Sequence, residues 1–473
     1  MTTQATQGTT PPPRLSRGVG LIDRQRQYRR RIRRSDFLIT ALWSSGAAAA
    51  ALFLSVGGAA QFGSPAEAVT SIGIVAGLIG SDFVLVMLVL AARVPFIDRT
   101  IGHDRAIAVH RQLGKPALYL LLAHGVLLLV GYGAAIGFDP VAWVVDMWEL
   151  PDMPLAFLGL GLLIVVVFTS LVAVRRAFSY EGWHLVHLLS YVAVAVAIPH
   201  QLSNGAVLAD GPQRVYWIAL YVLAFGGIAA YRFAEPLISS VRHDVRVDRV
   251  VEVAPGVVSI HLRGVALDEL GAKGGQFFVW RFWAGRMWWH AHPISLSAAP
   301  TATTARITIR DVGAGSRTIA RVRPGTRVWL EGPYGIFTDS ARSAPKVAII
   351  AAGIGVTPVR ALLESSALAS GEATVLLRAS TEHETWLWDE VAELAQARGA
   401  AFYTMVGRRS RTNPTWMPAL DQDRGVTIRS VFPDLLDSDL YICGPTSWLD
   451  LVEADALRAG VPRHQIHAER FDW

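Results

Sequence analysis

Six long apolar segments dominate the first half of the chain and restrict what it can fold into. Each reaches or approaches the roughly 20 residues that an α-helix needs to cross a bilayer. Soluble domains are about 25% charged, whereas this chain is 17% charged and 52% hydrophobic. The sequence therefore predicts a membrane protein with a six-helix bundle, its spans at residues 37–60, 69–92, 106–133, 154–174, 184–200 and 215–233.

The first apolar segment follows the basic stretch RQRQYRRRIRR, a combination that also occurs in signal peptides. This segment is too long for the hydrophobic region of a signal peptide and further spans follow it, so we interpret it as a retained span. Residues 1–35 are polar, basic and proline-bearing, and we predict a disordered cytoplasmic tail for them.

Charge divides the loops between spans into two sets. Lys and Arg are absent from residues 61–68, 134–153 and 201–213, whereas the N-terminal tail and residues 93–105 and 175–183 are basic. The positive-inside rule then predicts a multi-pass protein of the plasma membrane with both termini in the cytoplasm. The net charge of +6 would suit nucleic acid, but the arginines lie beside apolar runs. We therefore expect a lipid bilayer and no nucleic acid as partner.

The composition changes after the sixth span to short alternating strands, turns and scattered charges. About 230 residues remain, enough for two small domains on the cytoplasmic side. We predict a membrane domain over residues 36–236, an antiparallel β-barrel over 237–341 and a doubly wound α/β domain over 342–473.

Two of the predicted spans carry pairs of histidines, which are expensive in hydrocarbon and mark functional sites. His110 and His124 are 14 residues apart in the third span, and His187 and His200 are 13 apart in the fifth. These separations correspond to about 21 and 19.5 Å of helix rise. Because both spans run outward, the levels match as His110 with His187 and His124 with His200, which suits axial ligands for two stacked haems.

The rotation of the fifth span leaves a choice open. Thirteen residues end about 140° short of four turns, so on an ideal helix His187 and His200 point apart. Pro199 can kink the end of the helix and so turn His200 toward His124. His184 is the competing inner ligand. Arg111 is either a partner for a haem propionate or a charge that sets topology.

The lone cysteine, Cys443, excludes an internal disulfide, a four-cysteine iron–sulfur cluster and covalent haem attachment through C-x-x-C-H. The cytoplasmic half instead carries HPIS at 292–295, GAGS at 313–316 and the strand–turn–helix pattern KVAIIAAGIGVTPVRALLE. Its glycines let a backbone approach a pyrophosphate, and the helix N-terminus offers free amides.

The order of spans with paired histidines, HPIS, AGIGVTP, YICGP and a terminal aromatic resembles the ferric reductase / NADPH oxidase superfamily. In that superfamily a ferric-reductase-type membrane domain is fused to a ferredoxin–NADP reductase-type module. The resemblance covers about residues 36–473, and it supports two b-type haems held by histidine pairs more strongly than periodicity does. It also implies FAD in the barrel and NADPH in the α/β domain.

The resemblance assigns a role to each motif residue. It places flavin contacts at His292, Pro293 and Ser295, and the flavin pyrophosphate near Ser316. The nicotinamide nucleotide would bind at Gly353, Gly355, Thr357, Pro358, Gly444 and Pro445, with Cys443 beside the nicotinamide. Phe471 corresponds to the aromatic that covers the flavin and moves aside for the nicotinamide, with Trp473 as the substitute.

Three arginines bear on the choice between NADPH and NADH. Arg378 follows one core strand, and Arg408 and Arg409 follow the next. Arginines there can hold the adenosine 2′-phosphate and favour NADPH, or they can form a solvated basic loop.

Together these features predict a transmembrane oxidoreductase that passes electrons from NAD(P)H to a small acceptor outside. Oxygen and a ferric chelate both remain as acceptors, and the oligomeric state is open. Two alternatives stand beside it: a membrane-anchored flavin reductase without haem that serves a protein partner, and a transporter or sensor whose histidines relay protons.

Overall fold

Apolar helices and a strand-rich region divide the computed structural model as the hydropathy pattern suggests. The structure describes residues 17–136, 140–178, 180–204 and 211–470. These fall into two units, a membrane unit over residues 34–235 and a reductase unit that joins residues from Pro236 onward to the start of the first helix.

The membrane unit is helical because its long apolar runs can satisfy backbone hydrogen bonds in lipid only within helices. Six helices of the described residues are long and apolar enough to cross a bilayer, as predicted. The helices before the reductase strands are α1 (Arg17–Ser55), α2 (Pro65–Ala91), α3 (Pro95–Ile101), α4 (His103–Ile136), α5 (Pro140–Glu149), α6 (Met153–Ser170), α7 (Val172–Arg175), α8 (Tyr180–Ser203), α9 (Pro212–Gly227) and α10 (Glu235–His243), with a π-helical stretch at Ile228–Ala234 between the last two.

One expectation about the N-terminus is wrong. We predicted a disordered tail over residues 1–35, but residues 17–35 are part of α1. Arg, Gln, Leu and Ile are good or fair helix formers, and the basic stretch runs without a break into the first apolar run, so one helix continues through both.

Glycines bring helices of the membrane unit close together. On α2, a Cβ at Gly73 would lie 3.0 Å from Leu127, and one at Gly80 would lie 3.0 Å from Leu121. Between them, a Cβ at Gly77 would lie 2.4 Å from the ring of His124. This spacing of small residues lets α4 pack directly on α2, as is usual in membrane helix pairs.

The first part of the reductase unit consists of two three-stranded antiparallel sheets, in the orders β1–β2–β5 and β4–β3–β6. Isolated bridges join Arg246 to Arg327 and Leu296 to Ile307, and one apolar core that includes Ile260, Phe278 and Ile307 fills the interior. This arrangement is compatible with the predicted barrel. Its elements are β1 (Arg246–Ala254), β2 (Val257–Arg263), β3 (Phe277–Phe282), β4 (His292–Ser295), β5 (Thr304–Arg310), α11 (Ala314–Ile319) and β6 (Val328–Tyr334).

The second part of the reductase unit is a five-stranded parallel sheet in the order β11–β10–β7–β8–β9. Separate apolar cores cover its two faces, one including Val359 and Val391 and the other including Leu449 and Trp416. The chain order reverses between β7 and β10, which is the crevice where doubly wound folds bind ligands. Its elements are β7 (Lys346–Ala352), α12 (Val356–Ser365), β8 (Ala373–Ala379), α13 (Trp388–Ala397), β9 (Ala401–Val406), α14 (Ala419–Asp423), α15 (Ile428–Val431), β10 (Ser438–Gly444), α16 (Thr446–Arg458) and β11 (Ile466–Arg470).

Candidate functional site

The inner histidine pair consists of His110 on α4 and His187 on α8. Their ring centroids lie 6.1 Å apart with an interplanar angle of 58°. A metal bound to both Nε2 atoms through bonds of about 2 Å would require centroids roughly 6 Å apart. The spacing of the two rings therefore fits a single iron ion between them.

The hydrogen bond made by His110 selects the nitrogen that can bind a metal. Its Nδ1 lies 3.1 Å from the carbonyl oxygen of Met87. A carbonyl only accepts, so Nδ1 carries the proton and Nε2 carries the lone pair. The Nδ1 of His187 lies 3.3 Å from the hydroxyl of Ser170 on α6, which orients that ring from the opposite side.

The outer histidine pair consists of His124 on α4 and His200 on α8. Nδ1 of His124 donates to the carbonyl of Gly73 at 2.9 Å, which again leaves Nε2 with the lone pair. His200 lies within electrostatic reach of His124. Helix α8 continues past Pro199 to Ser203, and the pairing of His200 with His124 stays a prediction.

His184 lies near Trp183, one helical turn before His187. The ring that contacts His110 belongs to His187. The Trp183 ring centroid lies 4.9 Å from that of His187, with the rings tilted by 31°, and 6.4 Å from that of His184. The guanidinium of Arg175 lies 4.6 Å over Trp183 and closes this aromatic cluster.

The HPIS segment forms strand β4 and contains two buried polar atoms that are candidate ligand contacts. Neither the Ser295 hydroxyl nor Nε2 of His292 has a hydrogen-bond partner among the described residues. An orphaned buried hydroxyl costs free energy, so a ligand that bonds to it stabilises the site. Pro293 pairs with Val279 and aligns the segment on β3. The residues therefore fit a flavin.

Burial, with His290 and Arg281 nearby, lowers the pKa of His292 to about 4. The ring is therefore neutral at pH 7. A neutral imidazole with a free Nε2 can donate or accept one hydrogen bond at this position without adding charge.

Ser316 uses its side chain to shape a turn. Its hydroxyl accepts hydrogen bonds from the backbone N–H groups of Val312 and Gly313, at 2.9 and 3.0 Å. The hydroxyl thus fixes the start of α11. If the flavin pyrophosphate binds here as predicted, Ser316 would shape the turn beside it rather than contact it with a free hydroxyl. Arg317, Arg321 and Arg323 line a cavity of about 640 Å³ on the same part of the unit.

The loop after β7 lies at the crevice where the strand order reverses. Gly353 has a φ of +56°, which favours glycine. A Cβ at Gly355 would lie 2.4 Å from the carbonyl oxygen of Cys443, so only glycine lets the two loops meet. Thr357 donates to the Ile354 carbonyl at 2.9 Å and closes the turn into α12, in which Pro358 is buried.

The CGP segment at the end of β10 contacts this loop through its backbone. A Cβ at Gly444 would lie 2.8 Å from the ring of Trp448. Pro445 precedes α16 as its N-cap residue. The Cys443 side chain is fully buried, and this burial raises the pKa of its thiol well above the usual value. Cys443 is therefore a neutral thiol, and its backbone carbonyl lies against the glycine loop.

The three arginines have different surroundings. The Arg378 guanidinium is buried and donates to Ser380 Oγ at 2.8 Å and to the carbonyl of Gly407 at 2.7 Å. Burial and the neighbouring Arg409 lower its pKa. Arg408 is exposed and Arg409 is half-buried. Phe471 and Trp473 lie outside the described residues.

Comparisons with known proteins divide the chain in the same way. A family model described as "Ferric reductase like transmembrane component" matches residues 76–198. The chain is 31% identical over 173 residues to Ferredoxin--NADP reductase B of Sorangium cellulosum, which covers 34% of this chain and 68% of that protein. It is 27% identical over 208 residues to a flavohemoprotein of Xylella fastidiosa, covering 42% of this chain and 51% of the flavohemoprotein.

The chain belongs to the ferric reductase / NADPH oxidase superfamily. It is a multi-pass membrane protein and an NAD(P)H-dependent oxidoreductase whose ferric-reductase-type domain is fused to a ferredoxin–NADP reductase-type module. Among solved structures, the FAD/NAD-binding domain of nitric oxide dioxygenase from Vibrio cholerae is 21% identical, with a TM-score of 0.39, over 49% of this chain and 99% of that one. A flavohemoglobin from Malassezia yamatoensis is 17% identical, also with a TM-score of 0.39, over 89% and 98%.

Sequence reasoning about this ferric-reductase-type domain missed two features. The first is the glycine stripe of α2, including Gly73 and Gly77, which receives the outer histidine. The second is Asp82, a fully buried carboxyl on the same helix. The stretch GIVAGLIGSD shows both, as small residues at four- and three-residue spacing and as an acid inside an apolar run.

Proposed function

We propose that the protein passes electrons from cytoplasmic NADPH through FAD and two b-type haems to a small acceptor outside the plasma membrane. The observation that carries this proposal is the His110–His187 ring pair at 6.1 Å, with Nδ1 of His110 bound to a backbone carbonyl. A flavin takes two electrons from a nicotinamide and releases them singly, and haems carry single electrons across a bilayer.

The membrane unit would hold the haems through two histidine pairs. His110 with His187 would bind the inner haem and His124 with His200 the outer one. Carbonyls of Met87 and Gly73 orient the α4 histidines. Such outer hydrogen bonds fix the tautomer and raise the basicity of the ligand. The inner pair would use His187, while His184 would lie at the edge of the site.

The reductase unit would bind the two nucleotides with different kinds of groups. Ser295 would donate to the flavin ring, since its hydroxyl is buried without a partner among the described residues. Gly353 and Gly355 would let the NADPH pyrophosphate approach the backbone, and the N-terminus of α12 would face its negative charge. Phe471 would cover the flavin, with Trp473 as its substitute.

Preference for NADPH over NADH would come from Arg408 and Arg409. Arg378 is already held by Ser380 and Gly407, so it would position the loop of Arg408 rather than bind the phosphate alone. The exposed guanidinium of Arg408 is the group free to reach a 2′-phosphate in a bidentate manner.

The absorption spectrum of the purified protein, taken anaerobically before and after NADPH is added, tests the proposal. We expect reduced b-type haem bands that correspond to about two haems per chain, together with bleaching of the flavin. Flavin bands alone would contradict the proposal and favour a membrane-anchored flavin reductase. Absence of both would favour a transporter or sensor.

A second assay identifies the acceptor. Cytochrome c reduction that superoxide dismutase suppresses indicates oxygen as the acceptor, while anaerobic colour formation with a ferrous chelator indicates a ferric chelate. Asp146, Glu149 and Asp152 lie on the segment predicted to face outward, so the ferric chelates compared should include cationic and anionic ones. We propose the plasma membrane as the location, with both termini in the cytoplasm.

A further inference from the structure

Asp82 is a buried carboxyl group of the membrane unit that lies apart from the four candidate ligands. Asp82 on α2 is fully buried. Its Oδ1 accepts hydrogen bonds from Ser45 Oγ on α1 at 2.6 Å and from Tyr216 OH on α9 at 2.7 Å. Among the described residues, its Oδ2 has no hydrogen-bond partner. An acid retained in hydrocarbon at such a cost marks a functional site.

The surroundings of Asp82 supply hydroxyls and apolar groups. From α9 the titratable group that faces it is Tyr216, and from α1 its neighbours are Ser45 and Gly46, with a Cβ at Gly46 3.8 Å from Oδ2. From α4, Leu120 and Leu121 pack against this part of α2 at Gly80. The residues that the structure describes therefore give Asp82 no cationic partner.

The position of Asp82 on α2 lies between the levels of the two histidine pairs. Met87, whose carbonyl holds His110, is five residues away, and Gly73, whose carbonyl holds His124, is nine residues away. These separations correspond to about 7.5 and 13.5 Å of helix rise. About the axis of α2, Asp82 is rotated by about 140° from Met87 and by about 180° from Gly73. It therefore faces α1 and α9, on the other side of α2 from the histidines.

We propose that Asp82 is a proton-binding site coupled to the redox state of the membrane unit, an inference that rests on the proposed function. Iron(III) in a porphyrin carries one net positive charge, and reduction removes it. Held between the histidines in a medium of low dielectric, this charge would act as a counterion for a carboxylate that has no cationic partner among the described residues.

The coupled step balances one electron with one proton. When an electron from the reduced flavin enters the membrane unit, Asp82 loses its counterion and an O–H bond forms at Oδ2 with a proton from water. When the electron leaves for the outer acceptor, that O–H bond breaks and the proton returns to water. Oδ2 takes the proton because Oδ1 already accepts two hydrogen bonds.

Redox titrations of the full-length protein in lipid nanodiscs at several pH values test the proposal. We expect the haem midpoint potential of the wild type to rise as pH falls, by up to about 59 mV per pH unit, which is a tenfold change in the equilibrium constant of a one-electron couple. Asp82→Asn keeps the shape of the side chain and should lose most of this slope. Asp98→Asn, at another buried acid with an unpaired Oδ2 among the described residues, should keep it.

The outcomes separate the coupled site from the function on which it rests. Equal slopes in the wild type and Asp82→Asn, with haem present in both, overturn the proton site alone. Absence of haem from the wild type overturns both. Infrared difference spectra of the wild type give a measurement that needs no variant. Reduction should produce a protonated carboxyl band that shifts in heavy water, and its absence would also overturn the proton site.

Discussion

The membrane unit and the reductase unit hold their candidate cofactor groups by opposite means. In the membrane unit, histidine side chains face each other, and backbone carbonyls such as that of Met87 orient them. In the reductase unit, the backbone of Gly353 and Gly355 forms the candidate nucleotide loop, and a buried hydroxyl at Ser295 is unpartnered among the described residues.

This difference follows from the solvents in which the two units fold. In lipid, backbone groups are paired within helices, so functional ligands have to be side chains. Few polar side chains occur there, because each costs free energy in hydrocarbon. In water, loops can leave amides free for a phosphate at a helix N-terminus. Variants of the first unit should therefore remove a cofactor outright, whereas variants of the second should weaken binding in graded steps.

The largest effect is expected where the backbone of the membrane unit receives a ligand. Gly77→Val should abolish binding of the outer haem, since even a Cβ would lie 2.4 Å from the His124 ring. The inner haem, held one helix level away, should remain. Haem per chain, measured from reduced spectra, should fall from about two to about one.

Gly161→Val on α6 is the matched control for this substitution. No atom lies within 4 Å of a Cβ at Gly161 among the described residues, so this variant should keep both haems. If Gly77→Val also kept both, the glycine stripe would have no role in receiving the outer histidine.

A smaller effect is expected at the flavin site. Ser295→Ala should weaken FAD binding about fivefold, because one hydrogen bond to a ligand contributes about 1 kcal/mol. Its stability without flavin should change little, since the hydroxyl has no partner in the described protein. Flavin fluorescence during dilution measures the affinity.

Ser297→Ala is the matched control two residues along the chain. Ser297 Oγ accepts a hydrogen bond from Thr308 at 2.8 Å and another from Arg306 at 3.2 Å. This variant should lower the thermal stability of the reductase unit. If Ser297→Ala lowered flavin affinity without changing thermal stability, the assignment of Ser295 to the flavin and Ser297 to the fold would be contradicted.

Coenzyme choice should respond to the exposed arginine. Arg408→Gln should lower the ratio of kcat/KM for NADPH to that for NADH about tenfold, because a charge-assisted contact to the 2′-phosphate is lost. Arg411→Gln, another exposed residue of the same loop, should leave the ratio unchanged. An unchanged ratio in Arg408→Gln would assign this arginine to the solvated surface.

The last effect concerns the pH dependence of stability. Burial, His290 and Arg281 lower the pKa of His292 from 6.5 to about 4 in the folded state. The unfolded chain then binds more protons between these values, so stability from His292 is complete above about pH 6.5 and is lost as pH falls toward 4. In His292→Gln, the midpoint temperature of thermal unfolding, followed by flavin fluorescence, should fall less between pH 6.5 and pH 4 than in the wild type.

His383→Gln changes an exposed histidine of the same unit and is the control for that measurement. Its unfolding temperature should fall at acid pH as much as that of the wild type. If the unfolding temperature of His292→Gln also fell as much as that of the wild type, other groups would cause the pH dependence.

The sequence predicted the membrane unit better than the detail of the reductase site. Apolar runs, the charge of loops and paired histidines are visible as residue types, so the six spans and the ligand candidates could be read directly. The helical phase of His200 could not, because the direction of a side chain depends on helix packing. The length of α1 was also misjudged, since the basic tail and the first span form one helix.

The reductase site depends on backbone proximity, which residue types show only in part. Glycines near the pyrophosphate were predicted, but the contact of Gly355 with the Cys443 carbonyl requires two distant strands to be neighbours. The burial of the Cys443 thiol and the pairing of Arg378 with the Gly407 carbonyl likewise arise from the sheet.

Haem content of single-histidine variants tests the central claim most directly. Full-length wild type, His110→Ala, His124→Ala and His184→Ala are purified in nanodiscs, and haem per chain is determined from reduced spectra. We expect about two haems in the wild type and in His184→Ala, and about one in each of the other two variants. Undiminished haem in both His110→Ala and His124→Ala would contradict the paired-histidine account.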